Sequence, residues 1–351
     1  MSETEWDTQR QPVATRTALV TGAKGVVGPR LVQQLLQAGY RVHTLDRTNP
    51  PPGFFPLGVK SWSGDICDQE LIQRSVQGVD VVFHLAARLH IPNPPPELRP
   101  EYWRVNVEGT RGLAEACAAA GARRLVLFST INVYGAIDGT SADENTPPRP
   151  NGLYAETKLA AEEIVLSTKD PGTGKPLGVV LRLAAIYGPG MKGNYPKLVR
   201  ALSRGLFVPI GDGNNRRTLL FTEDAVRATI LAAQHPGAAG QIYNVSDGGN
   251  HLLCEIIAAI CAALGRRPPR WHVPSKPALL AARVVDAVSG LAGRSFDLAG
   301  RIKKLTEDVA VSSARIRQDL GFQALYGLEE GWRLTLVGRT AGEPKPENRR
   351  P

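Results

Sequence analysis

Runs of apolar residues alternate with helical periodicity along the first two thirds of this chain. Runs rich in Val, Leu, Ile and Phe predict strands over 17–20, 41–45, 80–84, 124–128, 178–182 and 241–245. The pattern between them predicts helices over 26–38, 105–120 and across Tyr154. Strands that are apolar throughout, and that alternate with helices, are typical of a parallel sheet covered by helices on both faces. The pattern therefore predicts an α/β fold with a doubly wound parallel sheet.

Three proline-rich stretches interrupt this pattern, over 49–56, 92–100 and 145–150. Because proline lacks a backbone N–H, these stretches cannot complete a ladder of hydrogen bonds, and we expect loops at the ligand edge of the sheet. The chain has 351 residues, which is more than one hydrophobic core usually serves. We therefore expect one large domain with a smaller lobe.

The apolar stretches of the chain do not predict a membrane protein. The first fifteen residues are polar and include Glu3, Glu5 and Asp7, so no secretory signal is predicted. The stretches 252–264 and 278–292 are interrupted by charged residues, and both are shorter than the ~20 apolar residues that a membrane span needs. We expect a cytoplasmic protein without a membrane span.

Charge and cysteine content indicate no nucleic-acid or metal site. The formal net charge of +9 comes from dispersed basic residues, several of them in 338–351. No helix has a basic face interleaved with aromatic residues, so nucleic-acid binding is not predicted. The four cysteines form no CxxC pair and lie in apolar or helical sequence. We expect buried free thiols, with no metal site and no disulfide.

Three glycines, Gly22, Gly25 and Gly28, follow the first predicted strand and open the first predicted helix. Residues without a Cβ let the chain turn, let the backbone approach a pyrophosphate and let the helix pack on the sheet, while the helix N-terminus faces the anion. The motif therefore predicts a dinucleotide at the end of the first strand of a Rossmann-type sheet. Its GxxGxxG spacing differs from the more familiar GxGxxG.

Acidic residues after the next strands bear on the choice of cofactor. Asp46 ends the second predicted strand, where a carboxylate bonds the adenosine ribose hydroxyls and repels a 2′-phosphate, which favours NAD. Lys24 and Arg47 could instead bind that phosphate, so NADP is the alternative. Asp65 follows a short strand. Its carboxylate either accepts a hydrogen bond from the adenine amine or belongs to a helix N-cap.

Tyr154 and Lys158 are four residues apart and project from one face of the predicted helix. A tyrosine with a pKa near 10 is a poor base, but an adjacent ammonium and a positive nicotinamide ring favour its phenolate. Ser129 and Thr130 precede the pair in the chain and supply hydroxyls. A tyrosine and a lysine at this spacing also occur on solvated helix faces. Here their place after the hydroxyl pair predicts an acid/base beside a nicotinamide.

These motifs together resemble the extended short-chain dehydrogenases/reductases, especially the NAD-dependent sugar-nucleotide epimerase/dehydratase branch. The likeness covers about 17–336. Its motifs are the glycine loop, HLAA at 84–87, NVEGT at 106–110, STINVYG at 129–135, YAETK at 154–158, LRLAAIYGPG at 181–190 and GDGNNRRTLLFTED at 211–224.

The resemblance implies a set of site residues. Tyr154 is the implied acid/base and Lys158 its partner, while Thr130 shares a hydrogen bond with the reacting oxygen. Arg217 is implied to bind the phosphates of a nucleotide-sugar, and the turn at 187–189 to close over the nicotinamide. The full cofactor set is Gly22, Gly25, Gly28, Asp46, Arg47, Asp65, Ile66, Leu85, Ala86, Ala87, Asn106, Ser129, Tyr154, Lys158 and Tyr187. The substrate set is Thr130, Asn132, Asn194 and Arg217.

The resemblance also implies how the chain is divided. Residues 15–183 would form the NAD(P)-binding Rossmann domain, to which 218–247 return. Residues 184–217 and 248–337 would form the C-terminal substrate-binding lobe, and 1–14 and 338–351 flexible tails. Two copies would pair through helices around 105–120 and 155–166 into a homodimer.

Two positions depart from the family pattern. Ile131 and Asn132 stand where dehydratases often carry Asp-Glu, which disfavours dehydration. Ala185 stands where sugar-nucleotide epimerases tend to carry an Asn that contacts the diphosphate.

The favoured function is hydride transfer at the 4-carbon of a nucleotide-sugar, by an epimerase or a 4-keto reductase. Ala185 and the apolar stretch 277–292 favour an alternative, a hydroxysteroid- or dihydroflavonol-type dehydrogenase/reductase. The second alternative is a non-catalytic NAD(P)-binding regulator. The complete set of Thr130, Tyr154 and Lys158 argues against it, because a sensor needs the cofactor but not the base.

Overall fold

The structure, a computed structural model, describes residues 16–89, 91, 94–137, 141–291 and 297–340. The strands in chain order are β1 (Thr17–Thr21), β2 (Arg41–Asp46), β3 (Lys60–Ser63), β4 (Val81–His84), β5 (Arg124–Thr130), β6 (Gly178–Leu183), β7 (Ala185–Tyr187), β8 (Arg216–Arg217), β9 (Leu219–Phe221), β10 (Ile242–Val245) and β11 (His251–Leu252). All six strands expected from the apolar runs are confirmed.

The helices in chain order are α1 (Gly28–Gln37), α2 (Gln69–Val76), α3 (Arg99–Trp103), α4 (Gly109–Ala119), α5 (Leu153–Ser167), α6 (Tyr195–Ser203), α7 (Thr222–Gln234), α8 (Leu253–Ala263), α9 (Ser275–Leu291), α10 (Leu298–Thr306), α11 (Ala314–Leu320) and α12 (Leu328–Thr340). The helix expected over 105–120 is α4, and a π-helical segment, Arg104–Glu108, joins it to α3. Residues 1–14 and 341–351 of the expected tails lie outside the described residues, whereas α12 includes 338–340.

Seven strands form one sheet in the order β10-β6-β5-β4-β1-β2-β3. Every neighbouring pair is parallel. The predicted Rossmann-type doubly wound sheet is therefore confirmed. The strand order reverses between β1 and β4, and the crevice outside the carboxyl ends of the strands at such a point is where ligands bind in this architecture.

Hydrophobic side chains cover both faces of this sheet. Because successive residues of a strand point to opposite faces, Val20 and Phe83 pack with α1 and α7, while Leu19 and Val82 pack with α2, α4 and α5. All four side chains are completely buried. This two-sided burial explains why the strands are apolar throughout.

A second, smaller hydrophobic cluster lies beside the sheet. It is built from β7, β9, α6, α8 and α12, with Trp332 and Tyr187 among its largest buried side chains. The segment 248–337, expected in the lobe, contributes to both cores. Ile316 and Leu320 of α11 pack into the main core instead, because α11 lies against the edge strand β10.

The cysteines are all free, but they are not all buried. Cys117 and Cys261 are buried as expected, Cys67 is half-buried and Cys254 is exposed. Burial raises the pKa of Cys117 to about 12, and that of Cys67 to about 11, where the charge of Asp65 adds to it. The expectation of four buried thiols is wrong for Cys254, which lies in the first turn of α8 on its solvent side.

Within the described ranges, no helix combines the length and apolar character that crossing a bilayer requires. The same residues contain no cluster of His, Cys, Asp and Glu side chains suited to a metal ion.

Candidate active site

A cleft of about 830 Å³ runs along the carboxyl ends of the central strands. One end is lined by the glycine loop, Asp46 and Asp65, and the other by Thr130 and Tyr154. The predicted cofactor residues on its walls also include the three glycines of that loop, Gly22, Gly25 and Gly28, together with Arg47, Ile66, Leu85, Ala86, Ala87 and Ser129. The topological switch point therefore brings together most of the predicted cofactor residues.

Two positions of the glycine loop have no room for a side chain. Gly22 has a φ of +70°, and a Cβ there would lie 2.6 Å from the backbone nitrogen of Ala86. A Cβ on Gly28 would lie 2.1 Å from the carbonyl oxygen of Ala23. Both contacts are with backbone atoms, which cannot move aside cheaply. The loop is therefore a close-packed backbone cradle at the start of α1, as pyrophosphate binding requires.

Asp46 has one carboxylate oxygen in use and one available. Oδ1 accepts the backbone N–H of Lys24 at 3.0 Å, while Oδ2 is buried without a hydrogen-bond partner among the described groups. Burial raises the pKa of Asp46, partly offset by the Lys24 N–H and ammonium. The unsatisfied oxygen beside the glycine loop fits the ribose hydroxyls of NAD. Lys24 Nζ donates to Thr48 Oγ1 at 2.5 Å. The ammonium is therefore engaged by the protein, whereas NADP binding would need it as a ligand of the 2′-phosphate.

NAD is therefore expected to bind at least about tenfold more tightly than NADP, because a 2′-phosphate would lie against the buried carboxylate of Asp46. Calorimetric titration of both cofactors measures the ratio. Asp46→Asn should narrow it by removing the repulsion, whereas Glu70→Gln, on the exposed side of α2, should leave it unchanged. Tighter binding of NADP by the unmodified protein would assign the phosphate to Lys24 and Arg47.

Asp65 is held at the edge of the cleft by protein groups. Its carboxylate accepts the backbone N–H of Cys67 at 3.0 Å and a hydrogen bond from Arg104 at 2.8 Å. Burial opposes ionisation, but these hydrogen bonds and the Arg104 charge lower the pKa of Asp65 overall. The N-cap of α2 is Asp68 and not Asp65. Asp65 thus remains the candidate for the adenine amine, ionised and already oriented.

The opposite end of the cleft carries the candidate reacting groups. Ser129 and Thr130 end β5, and Tyr154 lies in the first turn of α5. All three line the cleft. Lys158, one turn further along α5, is 1% exposed and lies below the cleft wall. The structure therefore brings together the hydroxyls, the phenol and the ammonium that were predicted from sequence.

The ionisation of this pair differs from the expected direction. Burial, with a smaller contribution from Tyr102, raises the pKa of Tyr154 to about 12. Burial lowers the pKa of Lys158 to about 8, and the charge of Glu162 opposes that shift. In the protein alone, desolvation thus outweighs the stabilisation that Lys158 was expected to give the phenolate. The phenol is the form held at neutral pH, which suits proton donation to a substrate oxygen.

A buried ion pair anchors the helix that carries Tyr154 and Lys158. Glu162 of α5 and Arg182 of β6 are 1% and 3% exposed. Arg182 Nη2 donates to Glu162 Oε2 at 2.6 Å and Nε to Oε1 at 3.1 Å. Ser129 donates a short hydrogen bond to Glu162, and Arg182 Nη1 donates to the Tyr134 hydroxyl at 2.9 Å. This network fixes α5 against β5 and β6 directly under the reacting end of the cleft.

A chain of hydrogen bonds lies under the middle of the cleft. Thr21 Oγ1 is 2.7 Å from His84 Nδ1, and His84 Nε2 is 3.0 Å from Thr110 Oγ1. The Ala86 N–H donates to Thr21 Oγ1 at 3.3 Å, and Thr110 Oγ1 donates to the Asn106 carbonyl at 2.7 Å. Burial, aided by the Lys158 charge, lowers the pKa of His84 to about 3, so the ring is neutral. The chain joins β1, β4 and the π-helical segment beneath Ala86.

Asn106 is buried and does not line the cleft. Its side chain accepts the Arg88 N–H at 2.7 Å and donates to Thr157 Oγ1 at 3.0 Å. It therefore ties the cleft-lining segment after β4 to α5. The structure supports a positioning role rather than the direct cofactor contact that the resemblance implied.

Tyr187 corrects one predicted cofactor contact. Because neighbouring residues of a strand face opposite ways, Ile186 of β7 lines the cleft, while Tyr187 points into the second cluster. Its ring stacks on Trp332 with centroids 4.7 Å apart. A Cβ on Gly331 would collide with the Tyr187 hydroxyl, so the absence of a side chain in α12 makes this packing fit.

The predicted substrate residues other than Thr130 are not on the cleft walls. Asn132 and Asn194 are exposed. Arg217 of β8 is half-buried and close enough to Tyr195, Asp308 and Glu307 for their charges to act on it, while burial lowers the pKa of Arg217 overall. Their roles stay predictions.

Some residues of the site were not predicted from sequence. Glu162 follows Lys158 by four positions, as Lys158 follows Tyr154, and this repeated helical spacing was a usable signal. His84 and Arg182 belong to the family motifs at 84–87 and 181–190, but no role was predicted for either residue. The cleft residues Arg88, Leu89, Ile91 and Lys192 carry no such pattern.

Comparison with known proteins decides the family. The model of the NAD dependent epimerase/dehydratase family matches residues 18–246, which is well over half of the chain. The protein belongs to this family. A family member of this kind is an NAD-dependent enzyme of the extended short-chain dehydrogenase/reductase type, and the glycine cradle and Asp46 fit that cofactor.

Relatives of this epimerase/dehydratase family member act on different substrates. It is 32% identical to a 3-beta-hydroxysteroid dehydrogenase of Mycolicibacterium neoaurum, over 89% of this chain and 88% of the relative. It is 26% identical to the N-acetyl-alpha-D-glucosaminyl-diphospho-ditrans,octacis-undecaprenol 4-epimerase of Escherichia coli O157:H7, over 91% of this chain and 93% of that protein. Its fold matches MoeE5 in complex with UDP-glucose and NAD, with a TM-score of 0.71 and 29% identity, over 93% of this chain and 100% of MoeE5.

Proposed function

We propose that this protein is an epimerase or 4-keto reductase that transfers hydride at the 4-carbon of a nucleotide-sugar. The observation that carries the proposal is the placement of Thr130 and Tyr154 on the wall of a dinucleotide-sized cleft, with Lys158 buried one helical turn away. The matching structure of MoeE5 with UDP-glucose and NAD supports the choice of substrate class.

The mechanism follows from these groups. NAD held by the glycine loop and Asp46 would supply the hydride acceptor and, once reduced, the hydride donor. Oxidation requires the phenolate form of Tyr154, which the Lys158 ammonium and a positive nicotinamide ring would favour. That phenolate would remove the proton of the substrate hydroxyl, and the phenol would give it back when the ketone is reduced. Thr130 holds the reacting oxygen by a hydrogen bond. Lys158 provides a positive charge beside the phenolate while that form exists.

The same residues serve both variants of the reaction. A reductase would need one hydride from the reduced cofactor and one proton from Tyr154, and Tyr154 is held as the phenol at neutral pH. An epimerase also needs the keto intermediate to rotate inside the cleft, so that the hydride returns to its opposite face. Family dehydratases often carry Asp-Glu where this chain has Ile131 and Asn132, so we do not propose dehydration.

Arg217 is proposed to bind the substrate diphosphate. Its guanidinium is half-buried in the second lobe, and a planar cation there can form two charge-assisted hydrogen bonds to phosphate oxygens. Burial lowers the pKa of Arg217, and a phosphate beside the guanidinium would favour its charged form. The neighbouring Arg216 is exposed and offers a matched comparison in the same strand.

Arg217→Ala is expected to weaken binding of UDP-glucose by about 2 kcal/mol, the scale of a hydrogen bond to a charged group. NAD affinity should be unchanged. Arg216→Ala should alter neither. Calorimetry with UDP-glucose, UDP-galactose and TDP-glucose measures these effects. If none of the three binds the unmodified protein while a 3β-hydroxysterol does, the nucleotide-sugar proposal fails and the second candidate replaces it.

The second candidate is a dehydrogenase for an apolar secondary alcohol, such as a hydroxysteroid. The specific observation behind it is the apolar wall at the reacting end, formed by Leu89, Ile91, Leu183, Ala184 and Ile186. Similarity to the 3-beta-hydroxysteroid dehydrogenase supports it as well. The catalytic assignment of Tyr154 is the same in both candidates.

A further inference from the structure

The outward side of α9 and the segment before it carry an exposed apolar surface. Of the fourteen exposed large apolar side chains in the described residues, six belong to it: Trp271, Val273, Leu280, Val284, Val285 and Val288. We call these six residues the α9 face. Scattered apolar residues on a surface are ordinary, whereas a group of this size in one place indicates an interaction surface.

The helical spacing explains why this side of α9 is outward. Leu280, Val284 and Val288 recur every four residues and are 64%, 56% and 61% exposed. The opposite side packs inward, where Ala282 is buried. There the Asp286 carboxylate accepts the backbone N–H groups of Leu298 and Ala299 at 2.9 Å each and so holds the N-terminus of α10.

Basic residues accompany the α9 face along the sequence. Five of them lie between 266 and 283, all exposed and none in an ion pair with another described residue: Arg266, Arg267, Arg270, Lys276 and Arg283. Asp286 is the one acidic residue in the sequence between 266 and 288, and its carboxylate is hydrogen-bonded to the N-terminus of α10. Basic residues therefore outnumber acidic ones by five to one within 266–288, while Asp212 lies close to His272 at the border of this surface.

We propose that the α9 face docks the protein on the surface of an anionic lipid bilayer. A helix that lies in a membrane interface combines an apolar side with basic residues at its border, and tryptophan favours the same depth. Trp271 is 84% exposed, which is unusual for the largest apolar side chain unless a partner covers it. Each basic residue near an anionic headgroup strengthens such binding.

Charge complementarity selects this partner over a second copy of the chain. Two α9 faces brought together would place ten cations around one apolar contact, and like charges facing each other oppose association. A bilayer containing phosphatidylglycerol offers both an apolar layer for the side chains and an anionic plane for the basic residues.

The docking surface adjoins the segment that leads to Arg217. The Val273 N–H donates to the Pro209 carbonyl at 2.9 Å, and the Gly211 N–H donates to the Val273 carbonyl at 2.8 Å. Docking would thus turn this side of the second lobe towards the bilayer. The docking proposal does not depend on the reaction proposed above, because none of its residues lines the cleft.

Co-sedimentation with lipid vesicles tests the proposal on the full chain. We expect binding to phosphatidylcholine vesicles that contain about one third phosphatidylglycerol, weak binding to pure phosphatidylcholine, and loss of binding in high salt. The double variant Leu280→Glu/Val284→Glu should reduce the bound fraction on anionic vesicles by about tenfold, because it removes apolar contact and adds repulsion.

A matched double variant controls for charge. Leu57→Glu/Leu325→Glu changes two exposed leucines elsewhere on the chain by the same chemistry, and it should bind anionic vesicles like the unmodified protein. Circular dichroism and NAD titration verify that both double variants are folded. Absence of vesicle binding, or equal binding by the α9 variant, would overturn the proposal. So would a dimer in ultracentrifugation that the α9 variant dissociates while vesicles bind neither protein.

Discussion

Tyr154→Phe is expected to lower turnover by about 100-fold or more, the usual contribution of a positioned acid/base. The substitution keeps the ring that packs at the start of α5 and removes only the hydroxyl, so the fold and NAD affinity should not change. The rate is measured with whichever nucleotide-sugar or sterol the unmodified protein turns over, and NAD binding by calorimetry.

Tyr40→Phe provides the matched control, because Tyr40 precedes β2 at the amino ends of the strands, opposite the cleft, and its hydroxyl accepts from Gln234 at 3.3 Å. It should retain full turnover. Near-normal turnover of Tyr154→Phe would remove the acid/base assignment while leaving the cofactor assignment in place.

Arg182→Met is expected to lower the free energy of unfolding by about 3–5 kcal/mol, the cost of leaving one partner of a buried ion pair without the other. Glu162 would keep its Ser129 hydrogen bond but lose three hydrogen bonds from the guanidinium. Urea unfolding followed by circular dichroism measures the change.

Two further variants separate charge from packing. Adding Glu162→Gln to Arg182→Met neutralises the stranded carboxylate and should recover part of the lost stability. Arg74→Met breaks an exposed pair with Glu70 on α2, and such pairs contribute less than about 1 kcal/mol. A loss in Arg182→Met as small as in Arg74→Met would show that the buried pair is not anchoring α5.

The sheet could be predicted because its signal is local and repeated. Six of the seven strands of the main sheet are apolar runs that alternate with helices, so their type and direction follow from the sequence. The exception is β3, whose sequence KSWS is polar and mostly exposed. The observed ends of the predicted strands differ from the predicted ones by at most two residues. The π-helical segment was not predicted, since an extra residue in a helical turn leaves the apolar periodicity almost unchanged.

The cofactor end of the site was more predictable than the substrate end. The glycine loop, Asp46 and the Tyr154–Lys158 pair depend on backbone geometry and on spacing within one element, which the sequence carries. Tyr187 was predicted to contact the cofactor but points into the second cluster. A sequence motif does not show which face of a strand a side chain occupies. The surroundings of Arg217 depend on how β8 packs against distant segments such as 307–309, a long-range property that local patterns do not encode.

The hydrogen-bond chain through His84 has a consequence for where protons can travel. Thr110 donates to a carbonyl, so it accepts from His84 Nε2, and the tautomer follows from these partners. Every link therefore runs one way, from the Ala86 N–H to the Asn106 carbonyl. With its pKa lowered to about 3, the ring does not take up a second proton to pass on. Because both ends of the chain are backbone groups and the ring stays neutral, this chain does not carry protons from the reacting end of the cleft into the sheet.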